Sequence, residues 1–507
     1  MLSGPKGKDY IQVRLDDVYA VFRNGLELKL ECCPRMASRR WSIFGSSNKA
    51  PRNPYKRFCQ THVAKLANEE EMNEWYNLVR AEIMPDYTKP MITGGEGRKL
   101  LVVVNPIGGS GKGEAIFRNL LKPMLDDAGT SYDVVVTTGP GHAEELAKTF
   151  DLSKYGAVGI VGGDGLFGEF LNGMNSREDR SEALTIPLGV IPAGSSNCLA
   201  CSVGLRQPLA AAFSVARGRP IPLDVLKITL GNSNRVILSV CGVSYGFISE
   251  VNTYAGRWRW LFGPARYTVC GLKTLLSSPM QYHVDCRFKM PREDDPEFEK
   301  TECGPDCKAC ARQISSLGPQ DHDPNSPMSP DTLYVSQLSA DSPFAVTMEA
   351  ESAKRGSLQK IDDEWVESSG PMEPRRKQLN PKHVDQSAVL LFSITNLSIR
   401  QSQNYTVWNR NCHRASGYMD LVLMPVMSRM SLVKFLSKYN KGTEAHKANS
   451  AVFSVMKARS VEMKISKPID ELPAWEKSIQ IAIDGETYPL EPLRVDTLHG
   501  FLNLMCS

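Results

Sequence analysis

Between residues 100 and 217 one pattern recurs: a short apolar run, a turn of glycine and other small residues, then a stretch with helical spacing. It begins at Leu100, Leu101, Val102, Val103 and Val104, followed by the turn NPIGGSGKG and the run EAIFRNLLKPML. It returns as DVVVTT before HAEELAKTF, as GAVGIVGGDG before LFGEFLNGM, and as IPLGVIPAGSSN before a run of small residues. Continuously apolar strands alternating with helices build a largely parallel sheet covered by helices. The middle of the chain is therefore expected to be an α/β domain.

The flanks read differently. Residues 1–97 alternate apolar and polar positions in YIQVRL and VYAVF, then reach EEEMNEWYNLVRAEI. There Met72, Trp75, Leu78 and Val79 fall at helical spacing behind an acidic first turn, where the helix dipole favours negative charge. Strands closed by one helix resemble a pleckstrin-homology domain. From about Asp224 the texture becomes β-rich, with VLKITL and RVILSVCGVSYGFI, one helix expected around RYTVCGLKTLL, and strand-like runs resuming at SAVLLFSITNL, MDLVLMP and SIQIAIDGE around a short helix SLVKFLSKY. Residues 291–385, rich in Pro, Ser, Asp and Glu, are expected to be a disordered insertion. The fold class expected is α/β plus all-β.

Charge narrows the function classes. Lys plus Arg number 60 against 56 Asp plus Glu, too small an excess for a chain built to bind nucleic acid. The segment MLSGPKGKDYIQVRLDD lacks the apolar core of a signal peptide, and no apolar run reaches membrane-spanning length. A cytoplasmic protein, or one peripheral to a membrane, is expected. Thirteen cysteines cannot all pair within one molecule, so reduced thiols are the default.

Three glycine turns carry the chemistry. Asn105, Gly109, Gly111 and Lys112 lie in a turn between strand and helix, where exposed backbone N–H groups and a helix N-terminus suit an anion. It is not a Walker A loop, since Gly113 follows Lys112 where Ser or Thr would be needed. Gly163 and Gly165 flank Asp164, which either caps a helix or removes a proton from a hydroxyl attacking a terminal phosphate. Glu169 follows within the same helix. Ser195 and Asn197 sit in the third turn. Three such turns at the carboxyl ends of strands in one sheet point to a nucleotide crevice.

In this order, NPIGGSGKG, GGDGLFGEFLNG, IPAGSSN and the later DGE resemble the diacylglycerol-kinase catalytic family, and within it the sphingolipid kinases. The resemblance covers residues 98–290 and 386–507. Following the pleckstrin-like module read at 1–97, it implies a nucleotide-binding α/β domain at 98–223, a lipid-binding β-sandwich at 224–507, and ATP with Mg2+ as cofactors. It implies that Asp164 is the base, and that Asn105, Gly109, Gly111, Lys112, Thr138, Gly163, Gly165, Glu169, Ser195 and Asn197 line the nucleotide site. Arg259 and Arg266 match arginines that hold phosphates, and Asp484 and Glu486 resemble an acidic pair near the nucleotide and its metal. The implied partners are a sphingolipid and a membrane surface, with no nucleic acid.

The lipid is read from three places. Cys303, Cys307 and Cys310 match a cysteine pattern characteristic of ceramide kinases. Three thiolates can bind zinc with one further ligand, which the sequence does not identify; the alternative is that in a disordered insertion they bind nothing. Asn252 stands where sphingosine kinases place an Asp suited to a cationic amine, beside Glu250, which both families keep. The run RWLFGPARYTVCGLKTLLS and the GGDG turn also lean to ceramide, whereas Gly-Ser-Ser-Asn at 194–197 lies between the two families. Phosphorylation of ceramide is the leading expectation and sphingosine kinase the rival, with a non-catalytic lipid-binding scaffold more remote.

Overall fold

A computed structural model describes residues 2–3, 10–11, 13–35, 57–88, 97–109, 111–258, 266–278, 280–289, 303, 307, 310, 366–368, 388–397, 412–440, 454–465, 471–472 and 474–506. Two compact units result, one of residues 1–221 with 502–507 and the other of residues 222–501.

The first unit opens with three antiparallel strands, β1 (Val18–Asn24), β2 (Glu27–Cys32) and β3 (Gln60–Lys65). Period-two patterning buries Leu28, Leu30 and Cys32 on one face of β2. Helix α1 (Glu69–Ile83) is started by Asn68, whose side chain accepts from the Glu71 amide at 2.8 Å, a cap that satisfies one orphan N–H. It packs Met72, Val79 and Ile83 against Val18, Val21, Leu28 and Leu30. Leu78, expected on that stripe, is instead exposed, because it lies one residue short of the seven-residue step from Met72 to Val79. Strands followed by a closing helix match the expected order.

The parallel sheet follows, built from β4 (Lys99–Val104), β5 (Tyr132–Val136), β6 (Tyr155–Gly162) and β7 (Leu188–Pro192) in the order β5-β4-β6-β7. Every residue of β6 and β7 is buried, whereas the edge strand β5 is partly exposed. Around the sheet run α2 (Gly113–Ile116), which continues through a π-turn at Phe117–Leu121 into Lys122–Asp127, then α3 (His142–Thr149), α4 (Asp164–Asn175), α5 (Cys198–Ser202) and α6 (Pro208–Arg217).

The second unit holds β8 (Pro220–Leu230, from Pro222 on), β9 (Val236–Ser239), β10 (Gly242–Gly246), α7 (Phe247–Arg257), α8 (Arg266–Ser277), β11 (Asp285–Lys289), β12 (Ala388–Thr395), β13 (Met419–Pro425), α9 (Arg429–Asn440), β14 (Ser454–Ala458), β15 (Ser460–Lys464), β16 (Ile481–Ile483) and β17 (Glu486–Tyr488). The last strand, β18 (Leu493–Met505), pairs with β15 in this unit. From Leu502 onward it belongs to the first unit, where Leu504 pairs in parallel with Leu188 of β7. One antiparallel group contains β11, β15 and β18 with β8 and β9, and the other runs β14-β13-β12-β10-β16-β17. Leu226, Ile228, Phe288, Val461 and Val495 of the first group share one core with Val243, Phe392, Leu421, Met456 and Ile481 of the second.

The apolar run ending in GVSYGFI is not one strand. It breaks after Ser239, resumes at Gly242, and turns into α7 at Phe247. Most of the expected insertion at 291–385 lies outside the described residues; Val366–Ser368 within it form an edge strand on β11.

Candidate functional site

In a parallel sheet all strands point the same way, so the turns leaving β4, β6 and β7 emerge side by side. The first is shaped by Asn105, whose Oδ1 accepts from the amides of Ile107 (3.1 Å) and Gly108 (2.8 Å), a side-chain mimic of a backbone turn. Gly109 follows with φ +60°. A Cβ there would lie 2.5 Å from the carbonyl carbon of Gly194 and 2.6 Å from the oxygen of Ala193. A Cβ on Gly194 would in turn stand 2.4 Å from the Cα of Gly163. The three turns therefore meet backbone to backbone, at a separation only glycine permits.

Asp164 is the first residue of α4 and 8% exposed. Its carboxylate accepts from the amides of Cys198 at 2.7 Å and Leu199 at 2.9 Å, the first two residues of α5. One negative charge thus serves two helix N-termini, a favourable placement against both dipoles. Asn197, left-handed at φ 54°, closes the third turn: its Oδ1 accepts from the Gly194 amide and its Nδ2 donates to the Gly194 carbonyl, both at 2.8 Å. The expected contact of Asn197 with a nucleotide therefore competes with a clasp the side chain already makes. Gly111 (φ +69°), Lys112 and Ser195 are exposed around these turns, and Gly165 is the second residue of α4.

Thr138 and Glu169 meet at a neighbouring corner. The Thr138 amide and hydroxyl both lie against Nδ1 of His142, at 3.0 and 3.1 Å, and the Gly141 amide donates to Glu169 Oε2 at 3.2 Å. Close packing of α4 on α3 fixes this corner, since a Cβ on Gly173 would sit 2.4 Å from the Glu144 carbonyl oxygen.

The remaining described site residues lie in the second unit. Asp484 and Gly485 are the two central residues of the turn between β16 and β17, with φ of 49° and 88°. Asp-Gly at two left-handed positions is the type I′ hairpin signature. The Asp484 carboxylate accepts from Ser239 Oγ at 2.7 Å and from the amides of Val240, Cys241 and Gly242 at 2.9–3.0 Å. Burial raises its pKa above the ordinary carboxylate range, against the pull of those four donors. Four donors clamp this carboxylate to the turn between β9 and β10, while Glu486 is exposed.

Glu250 is buried, and its Oε2 accepts from Tyr282 (2.6 Å) and Ser278 (2.8 Å). Asn252 is two residues on in the same helix, about 200° around the axis, so the two side chains do not share a face. Arg266 begins α8, and its guanidinium donates to the Tyr267 hydroxyl at 3.1 Å. Arg259 lies outside the described residues.

Two groups had no sequence signal. Glu476, fully buried, accepts from Tyr245 (2.9 Å) and the His283 amide (2.8 Å) and meets His283 Nδ1 at 2.9 Å. His413 joins Cys303, Cys307 and Cys310, with all four ligand atoms within 4.8 Å of one another.

Residues 99–228 match the family model of the diacylglycerol kinase catalytic domain. Sphingoid long-chain bases kinase 1 of Arabidopsis thaliana is 35% identical over 201 residues, 39% of this chain and 26% of that protein. Sphingosine kinase 2 of Homo sapiens is 38% identical over 190 residues, 35% of this chain and 29% of that protein. Ceramide kinase of Homo sapiens is 35% identical over 193 residues, 36% of each chain. The match spans well under half the length of these relatives. The crystal structure of a putative diacylglycerol kinase from Bacillus anthracis str. Sterne, 15% identical, covers 81% of this chain and 97% of its own at a TM-score of 0.47. The three joined glycine turns lie within the matched stretch, and residues 99–228 are similar to the diacylglycerol kinase catalytic domain and to sphingoid-base, sphingosine and ceramide kinases.

Proposed function

We propose that the protein transfers the γ-phosphate of ATP to the primary hydroxyl of a sphingolipid, with ceramide as the acceptor. The observation that carries this reading is the meeting of Gly109, Gly163 and Gly194 beside Asp164. Glycine turns let a polyphosphate approach the backbone closely, and Lys112 adds positive charge at the rim. Asn105, Gly111, Ser195, Thr138 and Glu169 complete the nucleotide side in this proposal, with Arg259 and Arg266 as further phosphate ligands.

The two amides on Asp164 fix the orientation of its carboxylate. The acceptor hydroxyl gives its proton to this carboxylate as its oxygen bonds to the γ-phosphorus, and the bond from that phosphorus to the leaving ADP oxygen breaks. Mg2+, when bound with ATP, neutralises charge on the phosphates. Exposed Glu486 is suited to that ion, whereas Asp484, with four donors on its carboxylate, is suited to hold the hairpin in place.

On the lipid side, Asn252 lines the acceptor site in this reading and its neutral amide favours an uncharged ceramide, while Glu250 is buried on another face of the same helix. Sphingosine is the alternative, favoured by the carboxylate of Glu250, which suits a cationic amine. Exposed Leu272 and Leu276 on α8 and Met430 and Val433 on α9 form apolar ridges suited to a bilayer surface, and Arg429 ties the start of α9 to the Ser278 carbonyl just past α8. The pleckstrin-like strands and helix before residue 97 add a second membrane contact in this proposal. Among the described residues no helix is long and apolar enough to cross a membrane.

The test is a panel of ceramide, sphingosine and diacylglycerol with ATP and Mg2+. Ceramide is expected to be phosphorylated fastest, with Asp164→Asn lowering turnover by about 10²-fold or more at unchanged ATP affinity. Turnover of sphingosine alone would reassign the acceptor, and no turnover of any lipid would sink the kinase reading.

A further inference from the structure

Cys303, Cys307 and Cys310 are buried in a cluster of their own, apart from the large apolar core of the second unit. Their spacing supplies three sulfurs, and the chain returns a hundred residues later to add an imidazole: Nδ1 of His413, itself fully buried. No cysteine of the chain is in a disulfide.

The separations can be compared with those a metal would impose. With Zn–S near 2.3 Å and Zn–N near 2.0–2.1 Å, tetrahedral angles place two sulfurs about 3.8 Å apart, and a sulfur and a nitrogen about 3.6 Å apart. Observed are 3.7 Å for Cys303 Sγ to Cys310 Sγ, 3.3 Å for Cys307 Sγ to His413 Nδ1, and 3.6 Å for Cys310 Sγ to His413 Nδ1. The Arg414 amide donates to the Cys303 sulfur and the Cys310 amide to the Cys307 sulfur. Such N–H···S bonds orient thiolate ligands and offset their charge, as partners around metal sites do.

We propose that Cys303, Cys307, Cys310 and His413 bind one zinc ion in a closed tetrahedral site. Three thiolates and one imidazole favour zinc over the harder Mg2+ or Ca2+, and a full set of four protein ligands leaves no position for water, so the site is structural. The ion staples Cys303, Cys307 and Cys310 to the loop at 412–417. That loop is already fixed on its other side: buried Asp224 accepts from the amides of Ser416, Gly417 and Gly500, each at 2.7 Å, and its own amide donates to the Arg414 carbonyl at 2.8 Å. The zinc site thereby carries that order across to the three cysteines. This proposal is independent of the kinase reading, because its readout is metal content.

The experiment uses the full chain, purified without a polyhistidine tag, with zinc measured by mass spectrometry and the site probed by cobalt substitution. Wild type is expected to hold one zinc per chain and to show thiolate-to-cobalt charge-transfer bands. Cys310→Ser and His413→Ala lose the metal to a chelator that wild type withstands, whereas His413→Cys, which offers a fourth thiolate, retains it. Should Cys310→Ser fail to fold, the cobalt spectrum of wild type and the retention by His413→Cys still decide. A zinc-free wild type from zinc-supplemented cells, without cobalt–thiolate bands, overturns the proposal, as does a full equivalent of zinc in Cys310→Ser.

Discussion

Replacing Asp164 by Asn separates the structural task of this residue from its proposed chemistry. Both carboxylate oxygens are engaged, Oδ2 by the Cys198 amide at 2.7 Å and Oδ1 by the Leu199 amide at 2.9 Å. Asn keeps one acceptor, and whichever way its amide is turned, the NH2 group faces one of those backbone N–H donors. One hydrogen bond to a charged group is lost, and a buried donor is left without its acceptor, overlapping costs that together amount to about 2 kcal/mol. Because α5 has only five residues, few other bonds hold its first turn, so the loss falls locally. At about 1.4 kcal/mol per factor of ten, the Cys198 and Leu199 amides should exchange with deuterium roughly 30-fold faster in Asp164→Asn. Amides in the middle of β6 should be unchanged, which separates local loosening from global unfolding. Exchange of Cys198 and Leu199 at the wild-type rate would refute the anchoring role. Lost turnover would then be a matter of proton transfer alone.

Two further outcomes follow from the same geometry. Gly109→Ala and Gly129→Ala both force a side chain into a left-handed conformation, φ +60° and +66°, at about 1–2 kcal/mol each. Only the first also drives a Cβ into the Gly194 backbone, so calorimetry should show the larger melting shift, with lost ATP affinity, in Gly109→Ala; equal shifts and affinities would mean the turns need not touch. Cys59 is the one exposed cysteine of the thirteen, and its hydrogen bond with Cys33, whose thiol is pushed up in consequence, lowers its pKa to about 7. The thiolate is the nucleophile, so alkylation by iodoacetamide should occur first at Cys59 and rise with pH to half its plateau near pH 7. A midpoint at the ordinary thiol value would contradict the shared proton.

The parallel sheet was legible because β4, β6 and β7 are buried on both faces and so read as unbroken apolar runs, each ended by a glycine turn. Less legible was what those glycines are for. Gly109 and Gly194 touch across 84 intervening positions, and local spacing carries no trace of that contact. Helix α7 was hidden because Phe247 and Ile248 extend the apolar run of β10, so period alone could not mark the change from strand to helix. At Asp484 the Asp-Gly pair did carry a hairpin signal, but a carboxylate that clamps a turn looks in sequence like one that serves a ligand. His413 joins the cysteines only through the fold; its neighbour Cys412 is a ligand type too, but nothing local links that pair to Cys303, Cys307 and Cys310.

The strand β18 gives the first unit a sequence order of its own. Leu504 completes the pairing of Leu188, and a Cβ on Gly189 would come within 2.8 Å of the Met505 side chain. During synthesis the β7 edge therefore waits, unpaired, while more than three hundred residues are made. An open strand edge is a template for wrong partners, so a fragment stopped near residue 221 presents the sheet in its most aggregation-prone form. Any binding measured on such a fragment would describe a sheet lacking its last strand, and a fragment meant to isolate this sheet should carry residues 502–506 as well.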